Sequence, residues 1–293
     1  MVIKNGRVFL PGKGFTDCDL GFGELIEASG SLGDGGYVAS GCYVVPGYVD
    51  IHTHGAMNRD FSDGDAAAMP VLADYYARNG VTSFLATTMT LKEPELTRAM
   101  HAVRDAGGTG AARCAGVHLE GPFLSYNKRG AQNPDNLHAP DADMLERLSA
   151  ASGGAVRMVT VAPEVEGAEE FIPRAAGICT VSVGHTEADY DTAMRAYSLG
   201  AGHATHLFNA MPPIHHRKPG VIGAAFDSGA STEIICDGLH VHPSAVRMAF
   251  ALFAGRLSLI SDSLRCAGMP DGEYELGGLP IRLSGGVARL LDG

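Results

Sequence analysis

The chain has 293 residues, 45% of them hydrophobic, and a formal net charge of −11. Its length lies within the range of one α/β barrel, and its composition excludes a disordered chain. The acidic balance argues against nucleic acid, because a phosphate backbone attracts a basic surface. The sequence has no run of eighteen apolar residues, which argues against a membrane partner.

The first forty-odd residues consist of short alternating runs punctuated by glycine, which is typical of small antiparallel strands. We assign residues 1–46 to the N-terminal part of a small β-domain, expected to be a β-sandwich. The six cysteines are scattered, with no paired spacing, and favour free thiols in a reducing compartment. The sequence therefore predicts a cytoplasmic protein.

From Gly47 onward, short apolar runs alternate with helical patterns. Helices are predicted over 65–79, 187–199 and 243–254, each followed by glycine, and two more begin near Glu93 and Pro140. The alternation predicts an α/β fold, a (β/α)₈ TIM-like barrel over 47–265. A doubly wound open sheet is the alternative, although no glycine-rich phosphate motif follows the first strand. The predicted strands are 47–52, 82–88, 115–120, 156–163, 178–185, 201–207, 232–240 and 257–263.

Residues 266–293 form a strand-rich, turn-rich tail that we expect to return to the β-domain. No eighth helical pattern follows the last predicted barrel strand.

Polar side chains stand at the carboxyl ends of the predicted strands, where barrel enzymes place their catalytic groups. In the His52-x-His54 pair both rings point to the same side of an extended segment, so both can reach one ion. Imidazole and carboxylate are the usual ligands of zinc and similar divalent ions. A single buried histidine is more often a hydrogen-bonded core residue, but the whole set favours a metal site. The set is His52, His54, Glu120, His185, His206, His240 and Asp262.

Two of the acids have competing interpretations. Glu120 follows an apolar run and either binds a metal or pairs with Lys128 or Arg129, because an unpaired buried carboxylate is costly. Asp262 either passes a proton to and from the reacting groups or caps a following turn. The metal and proton-transfer roles are the preferred hypotheses.

The loop over 206–220 is basic and bounded by prolines. It stands at the predicted end of the sixth strand and can bind an anionic group. A solvated surface loop is the alternative. The residues concerned are Asn209, His215, His216, Arg217 and Lys218.

The motifs around these residues resemble those of the N-acetylglucosamine-6-phosphate deacetylases, a branch of the amidohydrolase superfamily. HLEGPF (118–123), ATHLFNAM (204–211) and DGLHV (237–241) are specific to that branch, whereas HTHG (52–55) marks the wider superfamily. The matching segments extend in the family's order from about residue 40 to residue 275.

The resemblance implies hydrolysis of N-acetylglucosamine 6-phosphate to glucosamine 6-phosphate and acetate, with a divalent metal, zinc or iron, as one or two ions. It implies a homodimer, in which Arg217 reaches the phosphate across the interface. Carried over residue by residue, Glu120, His185 and His206 are ligands of the principal ion, and His52 and His54 of a second. Asp262 is the catalytic acid and base. The substrate-binding positions are Gln132, Asn209, Ala210 (through its backbone amide), Arg217 and His240.

The chain departs from the family pattern at two places. Some members carry histidine at the position of Gln132, where it polarises the carbonyl, so here a metal ion is expected to take that task. The chain also ends short of the family's usual C-terminus, so we expect an apparently truncated barrel with exposed apolar surface and reduced stability. The alternatives are another amidohydrolase acting on an acylated amine or cyclic amide, and an inactive truncated binding or scaffold chain. A carboxylate-rich two-metal phosphatase or nuclease is disfavoured.

Overall fold

The computed structural model describes residues 1–107 and 110–291. They form two compact units, Met1–Tyr48 and Val49–Gly293.

The first unit is a five-stranded sheet. Its β1, β2 and β3 are antiparallel, as the alternating glycine-punctuated runs predict. The antiparallel prediction was wrong for the next run, because β4 and β5 both pair with β1 in parallel. The strands are β1 (Val2–Leu10), β2 (Gly14–Phe22), β3 (Ile26–Gly30), β4 (Tyr37–Val38) and β5 (Tyr43–Val44).

The second unit contains eight parallel strands in the spatial order β15-β14-β13-β12-β11-β10-β9-β6. Because each strand neighbours the next one along the chain, the sheet curls into a barrel and has no reversal of strand order. The predicted barrel is confirmed and the doubly wound sheet is excluded. The strands are β6 (Tyr48–Thr53), β9 (Val81–Thr88), β10 (Arg113–Glu120), β11 (Val156–Val161), β12 (Thr180–Val183), β13 (His203–Ala204), β14 (Ser231–Ile235) and β15 (Leu257–Ile260), with a short pair β7 (Gly55–Ala56) and β8 (Arg59–Asp60) after β6.

Seven α-helices connect the strands in the described ranges, and none of these is long and apolar enough to cross a membrane. The five predicted helices are confirmed. Two others lack a clear sequence signal, because α4 contains Pro173 and α6 is apolar with an internal glycine. The helices are α1 (Ala68–Arg78), α2 (Glu93–Asp105), α3 (Ala142–Ala151), α4 (Ala168–Ala176), α5 (Tyr190–Ser198), α6 (Gly220–Ser228) and α7 (Pro243–Leu252).

The tail forms its own antiparallel sheet of β16 (Gly272–Leu276), β17 (Leu279–Ser284) and β18 (Val287–Leu290). Sequence analysis assigned this segment to the small β-domain. Its strands pair with one another, and Leu276 and Ile281 are buried in the apolar core of the second unit. Met248, Phe250 and Leu259, on the last helix and the last barrel strand, are exposed apolar side chains.

The first and last barrel strands are joined where their polar ends meet. The backbone N–H of Asp262 donates to the carbonyl of His52 (2.9 Å), and that of His54 donates to the carbonyl of Ser263 (2.9 Å). Asp50 accepts a hydrogen bond from the Ser261 hydroxyl (2.5 Å). These contacts place Asp262 beside the two histidines of the HxH pair.

Gly184 tests how tightly the barrel is packed. A Cβ at this position would lie 2.6 Å from the Thr205 Cβ and 3.0 Å from the Thr160 Cγ2. We expect Gly184→Ala to lower the free energy of unfolding by about 1–3 kcal/mol in urea denaturation, because overpacking forces neighbouring side chains to move. Gly202→Ala is the control, since an added Cβ there meets nothing within 4 Å. Equal unfolding midpoints for both variants would contradict this packing.

Candidate metal centre

The Glu120 carboxylate lies at the centre of a buried cluster at the carboxyl ends of the strands. Its Oε1 atom is 3.1 Å from Nε2 of His185 and 3.0 Å from Nε2 of His206. The two imidazole nitrogens are themselves 3.0 Å apart. Three ligand-type atoms from three strand ends therefore converge on one point.

The HxH pair approaches the same carboxylate from the first strand. His52 Nε2 is 3.2 Å from Oε1 of Glu120, and His54 Nε2 is 3.2 Å from Oε2. Asp262 Oδ1 lies 3.2 Å from His54 Nε2 and 3.5 Å from His52 Nε2. The structure thus brings together six of the seven residues in the predicted set, all except His240, and Glu120 lies between two ligand groups.

The contacts of Glu120 are with histidines and Gln132, so the alternative ion pair with Lys128 or Arg129 is not what satisfies its carboxylate. Lys128 contributes only its carbonyl oxygen, which lies 2.8 Å from His185 Nδ1. That contact makes Nδ1 the donor and leaves the Nε2 lone pair directed into the cluster.

Backbone strain is concentrated in this cluster. His185, His206 and Asp262 have φ angles of 48°, 25° and 49°, in the left-handed region that non-glycine residues seldom adopt. Each residue lies two positions beyond the end of a short strand. Such strain persists where the surrounding structure fixes it, and it is common at functional sites.

Electrostatics in the cluster favour positive charge. Burial by itself lowers the pKa of His54, but hydrogen bonds to Asp262 and Glu120 outweigh burial and raise the pKa to about 9. Burial would raise the pKa of Asp262, yet the charge of His52 and a hydrogen bond to His54 hold that pKa at about 2. The pKa of Glu120 is well below its usual value for the same kind of reason.

The donor set fits a divalent cation. With His185 protonated on Nδ1, its Nε2 lone pair is free, and it lies 3.0 Å from Nε2 of His206 and 3.1 Å from Oε1 of Glu120, so one cation could contact all three atoms. His52 Nε2 is buried without a hydrogen-bond partner. The groups with ligand atoms within 4.8 Å of one another include Glu120 with His185 and His206, and Glu120 with His52 and His54.

Gln132 is held rigidly beside the cluster. Its Oε1 accepts a hydrogen bond from the backbone N–H of Thr90 (2.7 Å), which directs its amide nitrogen to Oε2 of Glu120 at 2.6 Å. Gln132 is buried and its amide therefore orients Glu120. This contact does not depend on a substrate.

A cleft of about 630 Å³ opens above the cluster. Asn209 lines it, and its amide nitrogen is buried without a hydrogen-bond partner. Arg217, by contrast, is exposed and does not line this cleft. Other lining residues are His54, Glu120, Gln132, His185, His206, Ala210, His240 and Asp262 from the predicted set, and Leu276, Ile281 and Leu283 from the tail.

His240 lies five residues beyond the end of β14, in a loop rather than in the strand that the sequence predicted. Its Nδ1 is 2.7 Å from Oδ2 of Asp237, whose other oxygen accepts the backbone N–H of His240 (2.9 Å). Sequence analysis did not single out Asp237, although an aspartate three residues before a histidine in a turn is a recognisable capping pattern.

Glu233, another residue that sequence analysis missed, is fully buried on β14 and lies 2.5 Å from Nδ1 of His52. An acid inside the apolar run TEIIC was a usable signal, because a buried carboxylate needs a partner.

The profile of the amidohydrolase family matches residues 43–263. The chain belongs to the amidohydrolase family. Membership of this family implies a divalent metal, in agreement with the donor set around Glu120.

Several relatives carry names that agree with the motif resemblance. The amidohydrolase is 38% identical over 258 residues to an N-acetylglucosamine-6-phosphate deacetylase of Bacillus subtilis (strain 168), covering 85% of this chain and 65% of the relative. It is 36% identical to an N-acetylgalactosamine-6-phosphate deacetylase of Escherichia coli O157:H7, covering 85% of this chain and 67% of the relative. The chain thus spans about two thirds of the length of these relatives.

Solved structures of deacetylases share this amidohydrolase fold. A mutant N-acetyl-D-glucosamine-6-phosphate deacetylase of Mycobacterium smegmatis, in complex with N-acetyl-D-glucosamine-6-phosphate, is 34% identical with a TM-score of 0.93. The alignment covers the whole of this chain and 78% of the Mycobacterium smegmatis chain. The enzyme from Pasteurella multocida is 26% identical with a TM-score of 0.89, and the chain covers 79% of it.

Removing metal from the amidohydrolase should lower its melting temperature. A ligand at a free concentration 100 times its Kd stabilises the folded state by about 2.7 kcal/mol, and chelation removes that contribution. Differential scanning calorimetry with chelator, and then with zinc restored, measures the shift. Glu120→Gln should abolish the shift, whereas Glu146→Gln, which alters an exposed acid paired with Arg174, should retain it. A wild-type melting temperature indifferent to chelator and zinc would contradict the metal centre.

Proposed function

We propose that the chain is a metal-dependent deacetylase of N-acetylglucosamine 6-phosphate, releasing glucosamine 6-phosphate and acetate. The observation that carries the proposal is the cluster around Glu120, because imidazole nitrogens and the Asp262 carboxylate meet there at the base of a cleft. The cleft volume of about 630 Å³ is in the range of small-molecule sites. The names of the relatives support this choice of substrate class.

In this proposal Glu120, His185 and His206 hold the principal ion, and His52 and His54 hold a second with Glu120. Histidine and carboxylate ligands suit zinc and iron alike, so zinc or iron is proposed as one or two ions. The grouping of ligand atoms on both sides of Glu120 supports two ions.

When bound, a divalent ion supplies Lewis-acid polarisation and lowers the pKa of a coordinated water. Asp262, ionised at neutral pH because its pKa is about 2, accepts the proton of the attacking water on a carboxylate oxygen. As the new C–O bond forms at the acetamide carbon, the carbonyl π electrons move to oxygen. The C=O bond then re-forms as the C–N bond breaks, Asp262 delivers its proton to the departing nitrogen, and the products are the amine and acetic acid, which ionises to acetate.

Substrate recognition is assigned to the cleft wall. Asn209 offers its unpartnered amide nitrogen, Ala210 its backbone amide, and His240 its ring, which Asp237 orients. Gln132 keeps Glu120 in place beside the substrate. Arg217 does not line its own cleft, and this supports a homodimer in which Arg217 reaches the phosphate bound in the partner subunit's cleft.

A cytoplasmic location is part of the same proposal. All six cysteines are free, which agrees with a reducing compartment.

Acetate release from N-acetylglucosamine 6-phosphate, with bound metal determined by elemental analysis, tests the proposal. N-acetylgalactosamine 6-phosphate is the second candidate, favoured by the Escherichia coli relative, and it differs in one hydroxyl configuration. Metal binding without acetate release from either sugar would overturn the deacetylase proposal and favour another acyl or cyclic amide substrate.

Asp262→Asn should lower kcat on the order of 10²- to 10⁴-fold, the usual contribution of a positioned acid and base, while bound metal stays near the wild-type content. Steady-state kinetics and elemental analysis provide the two readouts. Asp143→Asn, an exposed acid paired with Arg174, serves as the control and should leave both unchanged. Near-normal turnover by Asp262→Asn would rule out its role.

Arg217→Met should lower kcat/KM for the phosphorylated sugar by about 10- to 100-fold, because a charge-assisted hydrogen bond is lost. It should not change turnover of unphosphorylated N-acetylglucosamine. Arg195→Gln, an exposed arginine paired with Glu169, is the control. Mixing the Arg217→Met and Asp262→Asn proteins should restore activity, since each mixed dimer has one complete site. If the mixture stays inactive after subunit exchange, Arg217 does not act across an interface.

A further inference from the structure

Glu233 lies beneath the ligand cluster and contacts one residue of each proposed ligand group, His52 and His206. It is fully buried on β14. Its Oε1 is 2.5 Å from Nδ1 of His52 and 3.2 Å from the backbone nitrogen of His206. Its Oε2 is 3.2 Å from Nε2 of His203, whose other ring nitrogen lies 2.7 Å from the Ser231 hydroxyl. The carboxylate therefore has a partner on each side and is held in one orientation.

A carboxylate only accepts hydrogen bonds, so every nitrogen that faces Glu233 donates to it. The Nδ1 of His52 then carries a hydrogen. The opposite nitrogen, Nε2, is left to act as a metal ligand, and it is the atom that lies 3.2 Å from Glu120 and has no hydrogen-bond partner. Metal-binding histidines are commonly oriented in this way by a carboxylate behind the ring.

We propose that Glu233 is a positioning residue that fixes the ring orientation and tautomer of His52, so that Nε2 of His52 is available to a divalent ion beside Glu120. The inference rests on the ligand assignment proposed above and not on the identity of the sugar. Glu233 itself stays behind the ring and outside the coordination sphere.

A direct metal-binding role for Glu233 is the competing possibility, because His52, His118 and Glu233 also place ligand-type atoms within 4.8 Å of one another. In that group, His118 Nε2 already bonds to the Thr160 hydroxyl (2.8 Å), and its Nδ1 lies 3.3 Å from the Ile51 carbonyl oxygen. Glu233 is likewise engaged through both oxygens. The hydrogen-bonded arrangement therefore favours positioning over coordination.

Zinc binding to Glu233→Gln provides the test, measured by competition with a chromophoric chelator on metal-free, folded protein. Glutamine keeps the shape of glutamate but removes the negative charge that makes the His52 ring a stronger metal ligand, and it replaces one acceptor oxygen with an NH2 donor. We expect the zinc affinity that depends on His52 to fall by about 10- to 100-fold, the usual effect of losing such a partner. Binding of the zinc held by Glu120, His185 and His206 should change much less.

A double-mutant cycle with His52→Ala separates positioning from general damage. If Glu233 acts through His52, Glu233→Gln should cause little further loss of zinc affinity in the His52→Ala background. Thr160→Val is the matched control, because it removes a buried hydroxyl of the same barrel interior whose hydrogen bonds are to His118 and Thr205, neither of which is a proposed ligand. It should lower the unfolding midpoint and leave zinc affinity unchanged.

Three outcomes would overturn the inference. Unchanged zinc affinity in Glu233→Gln means that His52 does not need this partner. An equal loss with and without His52 means that Glu233 acts by coordination or through the fold. If His52→Ala binds zinc as tightly as the wild type, His52 is not a metal ligand, whether or not acetate is released. Should Glu233→Gln not fold, Glu233→Asp, whose shorter carboxylate cannot reach both rings, should show the same His52-dependent loss.

Discussion

Four imidazole nitrogens approach the carboxylate of Glu120 within 3.0–3.2 Å, and this convergence constrains the rest of the barrel. The histidines come from three different strand ends, so the cluster forms only if the strands hold the right register and tilt. A buried carboxylate also needs positive charge beside it, which protonated imidazoles or a bound divalent cation supply. The left-handed backbone of His185, His206 and Asp262 shows that the fold accepts local strain to satisfy this constraint.

Polar residues continue below the ligands into the interior of the barrel. Along an extended strand, residues two positions apart share a face, so Asp50 lies beneath His52 and His118 beneath Glu120. Hydrogen bonds link His118 to Thr160, and Thr160 to Thr205. Because unpaired buried polar groups are costly, these contacts make the lower layer a rigid support and not merely filler.

Sequence patterns predicted the barrel, five of the helices and the residues that meet at Glu120, since alternation, capping glycines and polar strand ends are all local signals. They did not predict the parallel pairing of β4 and β5, because which strands pair depends on contacts distant in sequence. Glu233 was missed for a related reason. Its partners His52 and His203 lie 181 and 30 positions away, and only the folded chain shows that the acid is satisfied. Similarly, the hydrogen bond that locks Gln132 against the backbone of Thr90 cannot be read from composition or periodicity.

The contacts that join the first and last barrel strands have a consequence for how the chain folds. Thr53 and Ser263 hydrogen-bond across 210 positions, and Asp262 meets His52 over a similar span. Closing so long a loop carries a large entropic penalty before any compensating contact forms, and proteins with many such contacts fold slowly. During synthesis on the ribosome, His52 and His54 therefore cannot contact Asp262 until most of the barrel has been synthesised. Maturation of the complete site is thus a late event, coupled to closure of the barrel.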